Sequence, residues 1–134
     1  LEDVARRADE LAAFIGEATA AYGLPKPVAV GFSNGANVAA AMMLRQPQAL
    51  AAAALIRAQP TLIPDTLPDL GGVPVLILSG ERDPIVSAYD ANGLAATLEA
   101  AGADLRHETL PAGHSLTQLD VDLLKDWLAG LRLV

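Results

Sequence analysis

The pentapeptide Gly31-Phe32-Ser33-Asn34-Gly35 constrains this chain more than any other stretch. The apolar run Val28-Ala29-Val30 leads into it, and an alanine-rich stretch from Ala36 to Arg45 leads out. That is a strand, a sharp turn and a helix with a serine at the turn, the G-x-S-x-G pattern of a nucleophile elbow. Such a turn needs a strained backbone, because the serine must leave the end of a strand and face solvent. The two glycines are expected to remove Cβ atoms that would collide where strand and helix come close. Ser33 then sits at the positive end of the following helix, which favours an anion forming beside it.

The rest of the chain alternates in a way that suits this element. Val4, Ala8, Leu11, Ile15, Ala18 and Tyr22 recur at helical spacing, and Gly23, Pro25 and Pro27 end that helix. Residues 28–32 carry almost no polar group, so the strand is expected to be buried on both faces, as in a parallel sheet. The elbow helix runs to about Arg45, where Gln46-Pro47 stops it. A short strand from about Ala51 to Ile56 is broken by Arg57-Ala58-Gln59-Pro60, and a long irregular connection follows to residue 72. Val73 to Ser79 is the clearest strand, and Gly80-Glu81-Arg82-Asp83-Pro84 turns the chain into a helix that starts near Ser87 and ends at Gly102. Ser87 and Asp90 outline a capping box there. Asp104 to Leu110 reads as an edge strand, Pro111-Ala112-Gly113-His114-Ser115 as a loop, and Leu119, Leu123, Leu124, Trp127, Leu128 and Leu131 as a final amphipathic helix. The expectation is an α/β fold: a mostly parallel sheet of about four strands flanked by helices.

Composition narrows the function classes. The 134 residues suit one domain. Hydrophobic residues make up 52% of the chain, yet no run approaches the roughly 20 apolar residues of a membrane span, so a soluble protein without a membrane partner is expected. A net charge of −7 argues against nucleic acid and anionic membranes. Without cysteine there is neither a disulfide framework nor a thiol nucleophile, and cytoplasm is the default compartment. The start carries no basic, apolar signal pattern, and Leu1 already lies inside a helical pattern, so the chain reads as the remainder of something longer.

Loops beyond the carboxyl ends of parallel strands form the working side of such a sheet. Ser33 follows the first strand, Asp83 the third and His114 the fourth. A serine hydroxyl needs a base to take its proton, and histidine can do so near neutral pH and return the proton to a leaving group. Asp83 would hold the imidazole in one tautomer and stabilise its protonated form. The rivals are weaker. His107 lies within a strand, Asp65 and Asp69 lie in the long connection, and Ser115 is expected to brace the loop of His114. Met42 and Met43 read as core. The two histidines have no metal-binding spacing, so neither metal nor cofactor is expected.

With these residues in view, the chain resembles the α/β-hydrolase superfamily, and within it the bacterial phospholipase/carboxylesterase family of small serine esterases. Gly31-Phe32-Ser33-Asn34-Gly35-Ala36-Asn37-Val38-Ala39 is similar to the elbow of the hydroquinone-associated carboxylesterase branch. Gly80-Glu81-Arg82-Asp83-Pro84-Ile85-Val86 resembles the family's acid loop, and Gly113-His114-Ser115-Leu116 its histidine loop. The resemblance implies carboxylic ester hydrolysis through an acyl-enzyme on the C-terminal portion of that fold. Ser33 would be nucleophile, His114 base, Asp83 its orienter, and the backbone N–H of Asn34 one oxyanion donor. The second donor comes, in the family, from a loop upstream of anything present here. Leu62, Ile63 and Leu67 are expected to line the acyl side of a small ester.

Two further readings belong beside this one. The chain could be a truncated or degenerate hydrolase half that serves as a structural or interaction module. Its support is the strand at 28–32, which should be central in the full fold but has nothing before it to pair with. Residues 28–32, or the apolar face of the first helix, are therefore expected in a homo-oligomer interface. A flavodoxin-like binding domain would use the glycine turn as an anion cradle, but leaves the loops of Asp83 and His114 without purpose.

Overall fold

The computed structural model describes residues 2–60 and 63–132. Helix α1 (Glu2–Tyr22), strand β1 (Val28–Phe32), α2 (Asn34–Arg45), β2 (Ala52–Ile56), β3 (Pro74–Gly80), α3 (Ala88–Ala100), β4 (Asp104–Leu110) and α4 (Gln118–Ala129) follow one another. This is the order read from the sequence. The four strands form one parallel sheet in the order β1-β2-β3-β4.

Each step moves the chain one strand over in the same direction, and right-handed crossovers then put every connection on one face. That face carries α1, α2, α3 and the connection between β2 and β3. Ala8, the α2 residues Ala36, Ala39, Ala40, Met42 and Met43, Leu70, Leu94 and Leu98 share one buried cluster with Ala53, Leu55, Val75 and Ile77 of the sheet. The many alanines matter here, because a helix faced with methyl groups can approach the strands closely. Leu67, expected to line a substrate site, packs on this cluster instead. The opposite face carries α4, whose Trp127, Leu123 and Leu124 meet Ala52, Ala54, Ile56, Leu76 and Leu78.

α1 lies against α2, held at its rim by a two-pronged ion pair from the Arg45 guanidinium to Asp9 at 3.0 and 2.6 Å. Both side chains are well exposed, so the pair adds little stability. α4 begins with a complete capping box, in which the Thr117 side chain accepts from the Asp120 N–H and the Asp120 side chain accepts from the Thr117 N–H. At Ser87 the first half of a box is present: its hydroxyl accepts from the Asp90 N–H.

One expectation is overturned. β2 is buried throughout, but β1 is not buried on both faces: Val30 is 51% and Phe32 41% exposed. The apolar composition of the strand was a sound guide to its place in a parallel sheet. It could not report that β1 pairs only with β2 among the described residues and that α4 sits over β2 and β3, leaving the outer part of that face open. On the helical side, a groove of about 430 Å³ runs between α1, β1 and α2, lined by Leu11, Ile15, Val28, Val30, Val38 and Met42 among others.

Candidate active site

The carboxyl ends of the four strands are stitched edge to edge by backbone hydrogen bonds. The Ser33 N–H donates to the Ile56 carbonyl at 2.8 Å, the Arg57 N–H to Leu78 at 2.9 Å, and the Glu81 N–H to Leu110 at 2.8 Å. These bonds align the residues that follow each strand along one rim. Ser33 and Arg57, which follow β1 and β2, are the non-glycine residues with positive φ among those described, at 55° and 57°. Such backbone costs about 1–3 kcal/mol per residue and persists where the surroundings enforce it.

At the first of these turns Ser33 precedes α2 with φ 55° and ψ −116°, and its side chain makes no cap bond to the helix. The hydroxyl is aimed across the rim instead. A Cβ on Gly31 would lie 2.7 Å from the Ala36 nitrogen and from the carbonyl of Gly35, so no side chain fits there. Gly35 differs from the expectation: a Cβ on it would meet nothing within 4 Å. The close approach is made by its backbone to Gly31, and only one of the two glycines is required by collision inside this chain.

The structure brings Ser33, His114 and Asp83 together. Ser33 Oγ lies 2.9 Å from His114 Nε2, and His114 Nδ1 lies 2.9 Å from Asp83 Oδ2. The carboxylate can only accept, so Nδ1 carries the proton and the Nε2 lone pair faces the serine, which donates. The Asp83 side chain is fully buried while that of His114 is 20% exposed. Asp83 Oδ1 accepts from the N–H groups of Ile85 and Val86 at 2.8 and 3.1 Å. Burial pushes the Asp83 carboxyl up, but these bonds, with that from His114, outweigh it and hold the carboxyl below its ordinary value. The Phe32 ring stands 5.6 Å from the imidazole, tilted by 47°, and covers one side of it.

The acid loop and the histidine loop are pressed against each other. The Arg82 N–H donates to the Ala112 carbonyl at 2.9 Å, and the Arg82 guanidinium to that of Pro111 at 2.8 Å. A Cβ on Gly80 would stand 2.3 Å from the Gly113 oxygen, so glycine alone permits this approach. Asn37, buried in the first turns of α2, accepts from the Gln59 N–H at 2.7 Å and ties the elbow helix to the start of the loop after β2.

Sequence reasoning missed Arg57 and Asp120. Arg57 had marked only the end of a strand. Its side chain is wholly buried and paired through both terminal nitrogens with the carboxylate of Asp120, also wholly buried, at 2.9 Å each. The signals were a charged residue directly after five buried strand positions and an acid in the first turn of a leucine-rich helix. Burial alone would raise the Asp120 carboxyl, but hydrogen bonds from Arg57 and from the Thr117 N–H and hydroxyl leave it lowered.

The remaining sequence rivals are elsewhere. His107 pairs with Ser79 at 2.7 Å in the middle of β4, and burial lowers its affinity for a proton. Asp69 caps the Gly71 N–H at 2.8 Å, and Asp65 is exposed in the connection. Ser115 takes part through its carbonyl, which accepts from Arg57 at 3.2 Å. Asn34 opens α2, where first-turn N–H groups have no helical acceptor. Ile63 is exposed, and Leu62 lies outside the described residues.

A sequence model of the dienelactone hydrolase family matches residues 4–122. The chain belongs to the dienelactone hydrolase family. The resemblance to α/β-hydrolases drawn from the elbow and the two loops agrees with this. Among relatives of this dienelactone hydrolase family chain, MhqD of Bacillus subtilis strain 168, named as a hydrolase, is 33% identical over 128 residues, covering 94% of this chain and 64% of its own length. A Bacillus cereus carboxylesterase superposes with a TM-score of 0.89 at 35% identity, over 96% of this chain and 61% of that one. A Mesorhizobium loti carboxylesterase superposes with a TM-score of 0.85 at 30% identity, over 97% of this chain and 63% of that one. The chain thus spans less than two thirds of the length of these relatives.

The two buried carboxylates fix how the fold responds to acid. Both Asp83 and Asp120 are held below the ordinary value of 3.8, so between the folded and unfolded values the unfolded chain binds more protons. Their stabilisation is complete above the ordinary value and is lost as pH falls through the lower folded-state values. Urea midpoints should therefore drop as pH falls below about 5, with a shallower drop in Asp83→Asn and Asp120→Asn. Equal slopes in all three proteins would contradict this assignment.

Proposed function

We propose that the chain is the catalytic part of a serine hydrolase that cleaves small carboxylic esters through an acyl-enzyme. The observation that carries this reading is the unbroken line of hydrogen bonds from Ser33 Oγ through His114 to Asp83. Ser33 attacks the ester carbonyl carbon while His114 Nε2 takes its proton; His114 then gives that proton to the departing alcohol. A water, deprotonated by the same nitrogen, attacks the acyl-serine and releases the acid. Asp83 keeps Nδ1 protonated and stabilises the imidazolium in both steps. The oxyanion formed each time is met by the Asn34 N–H at the start of α2. Ile63, exposed in the connection after β2, is assigned to the acyl side. The carboxylesterase neighbours support an ester as substrate.

The test is hydrolysis of p-nitrophenyl esters of rising acyl length by the 134-residue chain. A rate above the uncatalysed one that is greatest for acetate or butyrate is expected. A preference for long acyl chains would overturn the small-ester reading, and no turnover of any ester would overturn the reading as a whole.

A second reading, a non-catalytic interaction module, draws on the open β1 edge and the apolar groove beside it. An unpaired apolar strand recruits another strand, and a homo-oligomer paired through residues 28–32 would satisfy it. Light scattering at high concentration should then give more than one chain per particle, and a monomer would count against it.

A further inference from the structure

We infer that Arg57 is a positioning residue: by holding the two carbonyls on either side of His114, its guanidinium sets where the imidazole stands between Ser33 and Asp83. Arg57 Nε donates to the Gly113 carbonyl at 2.9 Å, and Nη2 to that of Ser115 at 3.2 Å. His114 is the single residue between them. The guanidinium is itself fixed. Nη1 donates to the Leu78 carbonyl at the end of β3 at 3.3 Å, and Nη1 and Nη2 each donate to Asp120 at 2.9 Å. All five N–H donors of the side chain are therefore engaged, in directions a lysine ammonium cannot reproduce.

The rest of the clamp follows from the elements it joins. Asp120 is held by the Thr117 N–H and hydroxyl at 2.9 and 2.8 Å, so the start of α4 and the histidine loop are bonded to the same guanidinium. The Arg57 backbone, at φ 57°, turns the side chain back from the end of β2 towards that loop. Ser33 is anchored at the adjoining position, by its own N–H on Ile56. One residue thus references the histidine to the same strand end that references the serine. A loop carrying His114 without this clamp would keep its sequence but lose the register between Nε2 and Oγ, and a misplacement near 1 Å at a reacting group costs about 100-fold in rate.

The inference rests on the proposed Ser33–His114–Asp83 chemistry, and its test has two readouts so that the two can fail separately. Two variants are compared with the wild type: Arg57→Lys, and the paired Arg57→Met/Asp120→Leu, which removes both buried charges at once and retains the fold if the lysine does not. The first readout is the downfield, slowly exchanging resonance of the His114 Nδ1 proton held by Asp83. The second is the rate of Ser33 labelling by a fluorophosphonate. In folded variants the resonance should broaden or vanish, and labelling should slow about 10- to 100-fold. Leu98→Ala, which weakens the core under α3, should lower the melting midpoint and move neither readout. A folded variant that keeps both the resonance and the wild-type labelling rate overturns the inference, as does a wild type without the resonance. A wild type that shows the resonance but takes no label refutes the Ser33 chemistry, while the resonance in the variants still decides the role of Arg57.

Discussion

Ser33→Ala should lower ester hydrolysis by about 10⁴- to 10⁶-fold, and Ser33→Gly should do the same while making the protein more stable. The two effects have separate causes. Loss of rate would follow from loss of the proposed nucleophile, since no other hydroxyl faces His114 Nε2 among the described contacts. The gain in stability follows from the backbone. A φ of 55° with ψ near −116° suits the mirror-image turn region that glycine enters freely and side chains resist. Relief of about 1–3 kcal/mol of strain, less about 0.5–1 kcal/mol for the extra freedom of glycine when unfolded, leaves a net gain of about 1 kcal/mol. Alanine keeps the strain and should melt close to the wild type. Steady-state rates and urea midpoints of the three proteins check this. A glycine variant less stable than the alanine variant would show that the elbow is not strained.

Arg57→Met alone should cost about 3–5 kcal/mol, a fall of about 10–20 °C in melting midpoint for a chain of this size. The cost comes from what remains behind. Asp120, with its side chain 0% exposed, would be left without its cation, and three backbone carbonyls would each lose one donor. Replacing both members, Arg57→Met/Asp120→Leu, removes the stranded charge and should recover most of that loss. A single variant as stable as the wild type would mean that water reaches Asp120. A double variant no better than the single would place the stabilisation in the carbonyl bonds instead of the ion pair.

Much of this architecture could be read in the residues before any coordinates. Proline and glycine at Gly23, Pro25, Pro47 and Gly102 punctuate the chain, and the change from helical to strand patterning between them is clean. The line from Ser33 to His114 was legible for a related reason. Parallel strands put the residues after their carboxyl ends on one rim, so position along the chain translates into position in space. The unpaired edge of β1 was legible, but which helix covers which strand was hidden. Val30 and Phe32 are exposed because, among the described residues, α4 covers β2 and β3 and not β1, which no property of β1 itself reports. Arg57 and Asp120 are 63 residues apart, and each is ordinary in its local setting: one looks like a strand breaker and the other like a helix-start acid. Their meaning lies in burial, which is a property of the assembled sheet and α4. Leu67 was drawn towards the site by its loop, but the connection between β2 and β3 must cross the helical face, and the core claims the side chain on the way.

Ser33 should be made reactive by His114 within this chain. Intact mass after exposure of the 134-residue chain to a fluorophosphonate, beside Ser33→Ala, tests it most directly. A single adduct on the wild type and none on the variant is expected. A folded wild-type chain that gains no adduct would contradict it.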